Sequence, residues 1–364
     1  MSEVKGQYYP DHVSPPGVSL SEILESLEMT QAELAERSGR PRKTINGIIK
    51  GKVAITPETA IQFETIFGMP ASFWNNRQRQ YDEFQARRKE QSRLASQVEW
   101  LQYFPLNEMA MRGWVPRGRD KTKRLKNLLR FFGVASPEAW EVRWSSLKVS
   151  FRKSGAFEVD KYALATWLRA GELVADGVDC RPYDRTKFIE SLSVARTFTR
   201  LDPEEFQPKL ESLCAGCGVA VAFVREFPRI RVSGATRWLS HQKALIQLSL
   251  RYKTNDQLWH TFFHESCHIL RHPKGVVFLE SSGKKRCSDQ RELEANKFAA
   301  NSLIPGHLLA QFAQKHHPRI SKSSIRAFAR KIGIAPGIAV GQLQHNDYLD
   351  YSHCNELKIR LEWK

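Results

Sequence analysis

Apolar positions recur at helical spacing along most of the chain, and Gly or Pro breaks cut that pattern into segments. Residues 1–16 show no period and read as a flexible arm. From there residues 18–27, 30–37 and 40–50 predict three short amphipathic helices. Thr30 with Glu33 forms a capping box for the second, Gly39 and Gly51 stop the second and third, and Pro57 opens a fourth that runs to Phe67. A long charged stretch follows. It becomes an amphipathic helix after Lys121, where Leu125, Leu128, Leu129, Phe131 and Phe132 share a face. Further helical pieces begin at Pro137, Tyr162 and Phe188.

The period changes at Phe206. A helix to Leu213 leads into three β-rich runs, residues 218–224, 233–239 and 243–250, which predict a small sheet. Helical spacing returns over residues 259–270, 290–305, 321–332 and 336–343. The expected fold class is therefore mainly α with a small β-sheet, an α+β architecture. Its expected parts are an arm (1–16), a helical domain (17–76), a basic helical connector (77–130), a helical middle region (131–205), an α+β domain (206–345) and a C-terminal tail (346–364).

The stretch Trp259–Leu270 carries chemistry as well as period. His264, Glu265 and His268 stand in H-E-x-x-H spacing, which on a helix turns both imidazoles to one side, able to hold one Zn²⁺ with Glu265 beside them as a base. Asn255 or Asp256 can cap this helix, and Pro273 ends it. The plainer reading is a solvated polar face. A catalytic zinc takes three protein ligands, so a third is sought downstream, where the helix at 290–305 offers Glu292 and Glu294. Its apolar positions are Leu293, Phe298, Ala299 and Leu303.

Charge adds a second theme. The 364 residues carry 56 Lys and Arg against 39 Asp and Glu, a net +17 with a pI near 9.7, which suits a polyanionic partner. Residues 76–130 alone hold 14 basic and 6 acidic residues, either phosphate contacts or a solvated helix face. The second and third helices, joined at Gly39, make a helix-turn-helix. Ile45, Ile48 and Ile49 point inward and Ala35 allows a close crossing. That leaves Arg42, Lys43, Thr44, Asn46 and Lys50 for bases and phosphates of double-stranded DNA, and Gln31 to clamp a phosphate. The six cysteines are scattered, and the one C-x-x-C pair, Cys214 and Cys217, reads as core thiols. No signal core and no membrane-length apolar run is present, so a cytoplasmic protein without membrane contact is expected.

Two resemblances sharpen these readings. H-E-x-x-H followed by E-A-N-x-F-A-A-x-x-L-x-P, across residues 217–305, resembles the ImmA/IrrE metallopeptidases, zincin-like enzymes of bacterial and phage regulatory systems. By that resemblance Glu294 is the third zinc ligand and Glu292 the weaker candidate, and Glu265 is the general base. The edge of the small sheet would hold substrate as an added strand, an edge assigned to Gly234, Ala235, Thr236 and Arg237. Oxyanion candidates are His260, Arg237 and His307. Ser266-Cys267 departs from the pattern and leaves room for thiol chemistry, with an inert side chain the plainer reading.

Residues 16–81 resemble the XRE, lambda-repressor-like domains, and Lys43–Ala60 with Phe73-Trp74-Asn75 is similar to HigA-type antitoxins. The combination implies a transcriptional regulator, a homodimer on a two-fold operator, whose fused zinc peptidase cuts a regulatory protein in a stress, phage or mobile-element response. The middle region would sense the signal. The alternative is an antitoxin-like autorepressor with a toxin partner, its metal domain serving as a binding module without proteolysis.

Overall fold

The computed structural model describes residues 10–144, 160–228, 230–274, 277–281 and 290–363. The chain divides into two compact units, Met1–Glu99 and Trp100–Lys364. The fold is mainly α with one small sheet. The first nine residues of the expected arm lie outside the described residues.

The first unit holds α1 (Pro16–Ser26), α2 (Gln31–Ser38), α3 (Arg42–Ile49), α4 (Pro57–Phe67) and α5 (Ala71–Ser96). Thr30 caps α2 by accepting from Glu33 N–H, but the Glu33 carboxylate goes to Arg37 instead of back to the cap, so the capping box is half made. Gly39 ends α2 in the left-handed conformation at φ 64°, which a side chain would resist. Leu20, Leu34, Ile45, Ala60, Phe63 and Trp74 close a core from all five helices. The boundary expected after residue 76 falls inside α5, because nothing in its 26 residues interrupts the helix.

The second unit begins with α6 (Leu106–Met111), α7 (Lys121–Phe132), helical residues 137–144 (α8), α9 (Lys161–Asp176), α10 (Arg185–Thr197) and α11 (Pro203–Ala215). Strands β1 (Val219–Phe223), β2 (Val232–Ser240), β3 (Lys243–Leu248) and β4 (Phe278–Ser281) form a sheet in the order β1-β3-β2-β4. β1 runs parallel to β3, and the other pairs are antiparallel. The 3.6-residue period then returns in α12 (Asn255–Arg271), α13 (Gln290–Leu303), α14 (Gly306–His316), α15 (Lys322–Ile332) and α16 (Pro336–His345). β4 and α14 are additions to the elements that periodicity predicts. β4 is only four residues long, too short for alternation to show.

Strand alternation gives the sheet two different faces. Ala244, Ile246 and Leu248 join the apolar core that α12 closes, with Trp259, Phe262 and Phe263. On the opposite face Gln247 donates to Trp167 O of α9 at 2.7 Å, and the indole of Trp167 donates to Val224 O at 2.9 Å. The tail is built in as well. Asn255 exchanges hydrogen bonds with Ile359, Leu361 N–H donates to Lys253 O, and Lys358 pairs with Asp256 at 2.8 Å. Asn255 and Asp256 therefore bind the tail and do not cap α12. The cap position is Thr254, which makes no side-chain cap bond.

Candidate metal centre and nucleic-acid interface

α12 is buried along nearly its whole length, so the polar groups on it are held inside the fold. Residues 264 and 268 lie one turn apart, and their Nε2 atoms approach to 3.1 Å. Glu292 of α13 completes the group. Its carboxylate oxygens lie 3.1 Å from Nε2 of His264 and 3.6 Å from Nε2 of His268. Ligand atoms of these three residues all fall within 4.8 Å of one another, and no other such cluster of His, Cys, Asp or Glu occurs among the described residues.

The outward nitrogens are engaged, which fixes how the rings present themselves. His264 Nδ1–H donates to Oδ1 of Asn296 at 3.0 Å, and His268 Nδ1 meets His272 Nδ1 at 2.7 Å. With His268 as donor, both Nε2 lone pairs face the Glu292 carboxylate. Burial, helped by His264 and His272, pushes the His268 pKa down to about 2, so this imidazole is neutral and a competent donor. Phe278 of β4 stacks on the His268 ring, with centroids 4.1 Å apart.

Glu294, expected as third ligand, is not at this cluster. It is paired with Arg271 at 2.6 Å and lies 3.4 Å from Nε2 of His272, without hydrogen-bond alignment. Its hydrogen bond from Arg271 holds its pKa below the usual carboxylate value. The reason is helical phase: two residues rotate a side chain by about 200°. Glu292 shares a stripe with Ala295, Ala299 and Leu303, all buried, at spacings of three, seven and eleven. That stripe faces inward, whereas Leu293, expected on the apolar face, is 54% exposed. The small-residue stripe is the sequence signal that could have selected Glu292.

Glu265 is fully buried and turned toward β2, where a Cβ on Gly234 would come within 2.8 Å of its Oε1. Thr236 Oγ1 donates to the backbone carbonyl of Glu265 at 3.1 Å. Gly234 and Thr236 are thus brought to the α12 helix, but not as a sheet edge. β2 is paired on both sides, with β3 and with β4, so the edge expected at residues 234–237 is corrected to β4. Arg237 follows the alternation to the far face. There it pairs with Glu172 at 2.8 Å and donates to Leu168 O, and Glu172 also takes Arg169 at 2.5 Å. An oxyanion role for Arg237 at the imidazoles is excluded by that direction. His260 stays near the cluster, 6.2 Å from the His264 ring, whereas His307 is exposed on α14. Burial raises the Cys267 thiol to about 11, which leaves it a small inert side chain at neutral pH.

In the first unit α3 is amphipathic in the way its spacing predicts. Ile45 and Ile48 are buried, Arg42, Lys43 and Lys50 are exposed, and Thr44 and Asn46 are half-buried. Gln31 at the start of α2 accepts a hydrogen bond from Asn46 at 3.3 Å, so these two expected contacts form one polar pair.

Comparison with known proteins agrees with this division. Residues 20–74 match the family model of the helix-turn-helix, and residues 232–339 match that of the IrrE N-terminal-like domain of the M78 peptidase family. A solved structure of an addiction module antidote protein of the HigA family from Coxiella burnetii is 31% identical, over 23% of this chain and 91% of that one, with a TM-score of 0.22. No curated protein matches the chain. The chain is a regulator in which a DNA-binding helix-turn-helix domain is fused to an IrrE-like domain of the M78 peptidase family.

Proposed function

We propose that the IrrE-like domain is a zinc-dependent endopeptidase that cuts a regulatory protein, in a chain that binds an operator as a homodimer and works in the cytoplasm. The observation that carries this reading is the convergence of His264 Nε2, His268 Nε2 and the Glu292 carboxylate within 4.8 Å, with Glu265 next to it on α12. Two imidazoles and a carboxylate are a donor set suited to zinc, and the set leaves a fourth position open. His264, His268 and Glu292 would hold the ion, with Asn296 and His272 orienting the rings. When bound, zinc supplies Lewis acidity that polarises a peptide carbonyl and acidifies water.

Glu265 accepts the proton of the attacking water and returns it to the leaving amine. An extended substrate pairs with β4, the outer strand of the sheet among the described residues, whose Phe278 already touches His268. Arg42, Lys43, Thr44, Asn46, Lys50 and Gln31 contact the operator. No helix of the described residues is long and apolar enough to cross a membrane.

The test is Glu265→Gln in the full chain. It should retain zinc and DNA binding and lose cleavage of the partner regulator by on the order of a hundredfold or more. Wild-type cleavage or derepression by this variant would end the peptidase reading.

A further inference from the structure

We propose that the outer face of α7 is a second phosphate-binding surface, in the unit that carries the peptidase-family domain, and that its occupant is duplex DNA. This rests on the DNA-binding reading above. The helix has a plain division of labour. Leu125, Leu128, Leu129 and Phe132 are buried on one side, and Lys123, Lys126 and Arg130 are exposed on the other. Spacings of three and four residues set these cations in one row about 10 Å long, comparable with the axial rise of about three phosphates of one DNA strand. Arg117, Arg119 and Lys121, also exposed, extend the basic surface at the helix start.

Two observations separate this row from an ordinary solvated face. On α5 two of the arginines are neutralised by carboxylates of the same helix, Arg87 by Glu83 at 2.5 Å and Arg93 by Glu90 at 2.7 Å. α7 has no carboxylate in its twelve residues, and the neighbouring Asp120 is used as the helix cap. Among the described residues, Lys123, Lys126 and Arg130 make no ion pair within the chain. The second observation concerns the helix dipole. The first turn has no acidic residue and carries Lys121, Lys123 and Arg124, cations at the end of a helix where positive charge is locally unfavourable. Helix stability does not account for that placement, whereas counterion release from a polyanion does.

The experiment measures binding of the full-length protein to a duplex of about 40 base pairs, ample for a reader plus flanking contacts, across a salt titration. The duplex is drawn from upstream of the protein's own coding sequence. The neutral variant Lys123→Gln/Lys126→Gln/Arg130→Gln should bind more weakly at low salt. Its slope of log affinity against log salt should be less steep by about 2 to 3, one unit per lost phosphate contact. The charge-keeping variant Lys123→Arg/Lys126→Arg/Arg130→Lys should match wild type. An unchanged slope in the neutral variant, with wild type still binding, overturns the α7 surface and leaves the α3 reading intact. Equal losses in both variants mark a structural defect and also overturn it. Wild type that binds no DNA at all removes both readings, and a slope change on duplex RNA alone overturns this one.

Discussion

Gly234 and Glu265 stand so close that a single methyl group would not fit between them. A Cβ on Gly234 would lie 2.8 Å from the Glu265 Oε1 and 2.5 Å from the Thr261 methyl. A side chain there would have to displace Thr261 and Glu265, so the position of the proposed base is set by β2 as much as by its own helix. Gly234→Ala should keep zinc, whose proposed ligands lie elsewhere, and lower cleavage on the order of a hundredfold by displacing Glu265. Zinc content by elemental analysis and cleavage of the partner protein are read on the same sample. Full activity in the variant would show that the carboxylate position does not matter.

The two glutamates of α13 should behave differently. Glu292→Ala is expected to lose bound zinc outright. Glu294→Ala should still bind it, weakened about 10- to 100-fold, because Glu294 sits behind His272 and His272 behind His268. Competition with a chelator measures both. Zinc lost in Glu294→Ala and kept in Glu292→Ala would reverse the assignment.

Acid should weaken the metal-free fold. The His268 pKa is depressed from 6.5 to about 2 by burial first, so between those values the unfolded chain binds a proton that the folded one refuses. Stability is then independent of this group above pH 6.5 and falls as pH drops below it. Thermal melts of chelator-treated protein from pH 7.5 to 5 read the effect. A melting temperature that rises on acidification would contradict the buried neutral imidazole.

For the reader helix, Arg42→Ala with Lys43→Ala should weaken operator binding and flatten its salt dependence by about 1 to 2 in slope, since both side chains are exposed at the start of α3. Zinc content should not change. Fluorescence anisotropy across a salt series is sufficient, and identical curves for variant and wild type would remove α3 from the interface.

Much of the organisation is carried by local pattern. The boundaries of α2, α3 and α4 follow from Thr30, Gly39, Pro57 and an isoleucine period, because caps, breakers and amphipathic spacing act within a few residues. The same holds for the pairing of His264 with His268, which one helical turn dictates. The place of Glu265 next to His264 along the helix is local too, whereas the direction of its carboxylate depends on the approach of Gly234 on β2.

What sequence could not decide was which surface of an element meets which neighbour. Glu292 and Glu294 are equal candidates on an isolated helix, and only the packing of the Ala295, Ala299 and Leu303 stripe against α12 turns Glu292 to the imidazoles. Residues 234–237 look like an edge until the strand order is known. β4, added after α12 in the chain, pairs beside β2 and takes the edge for itself. Arg237 is then carried to the face of α9 by alternation alone. Local spacing fixes direction relative to an element's own axis. Direction relative to the rest of the molecule comes from long-range burial, which is a property of the assembled core.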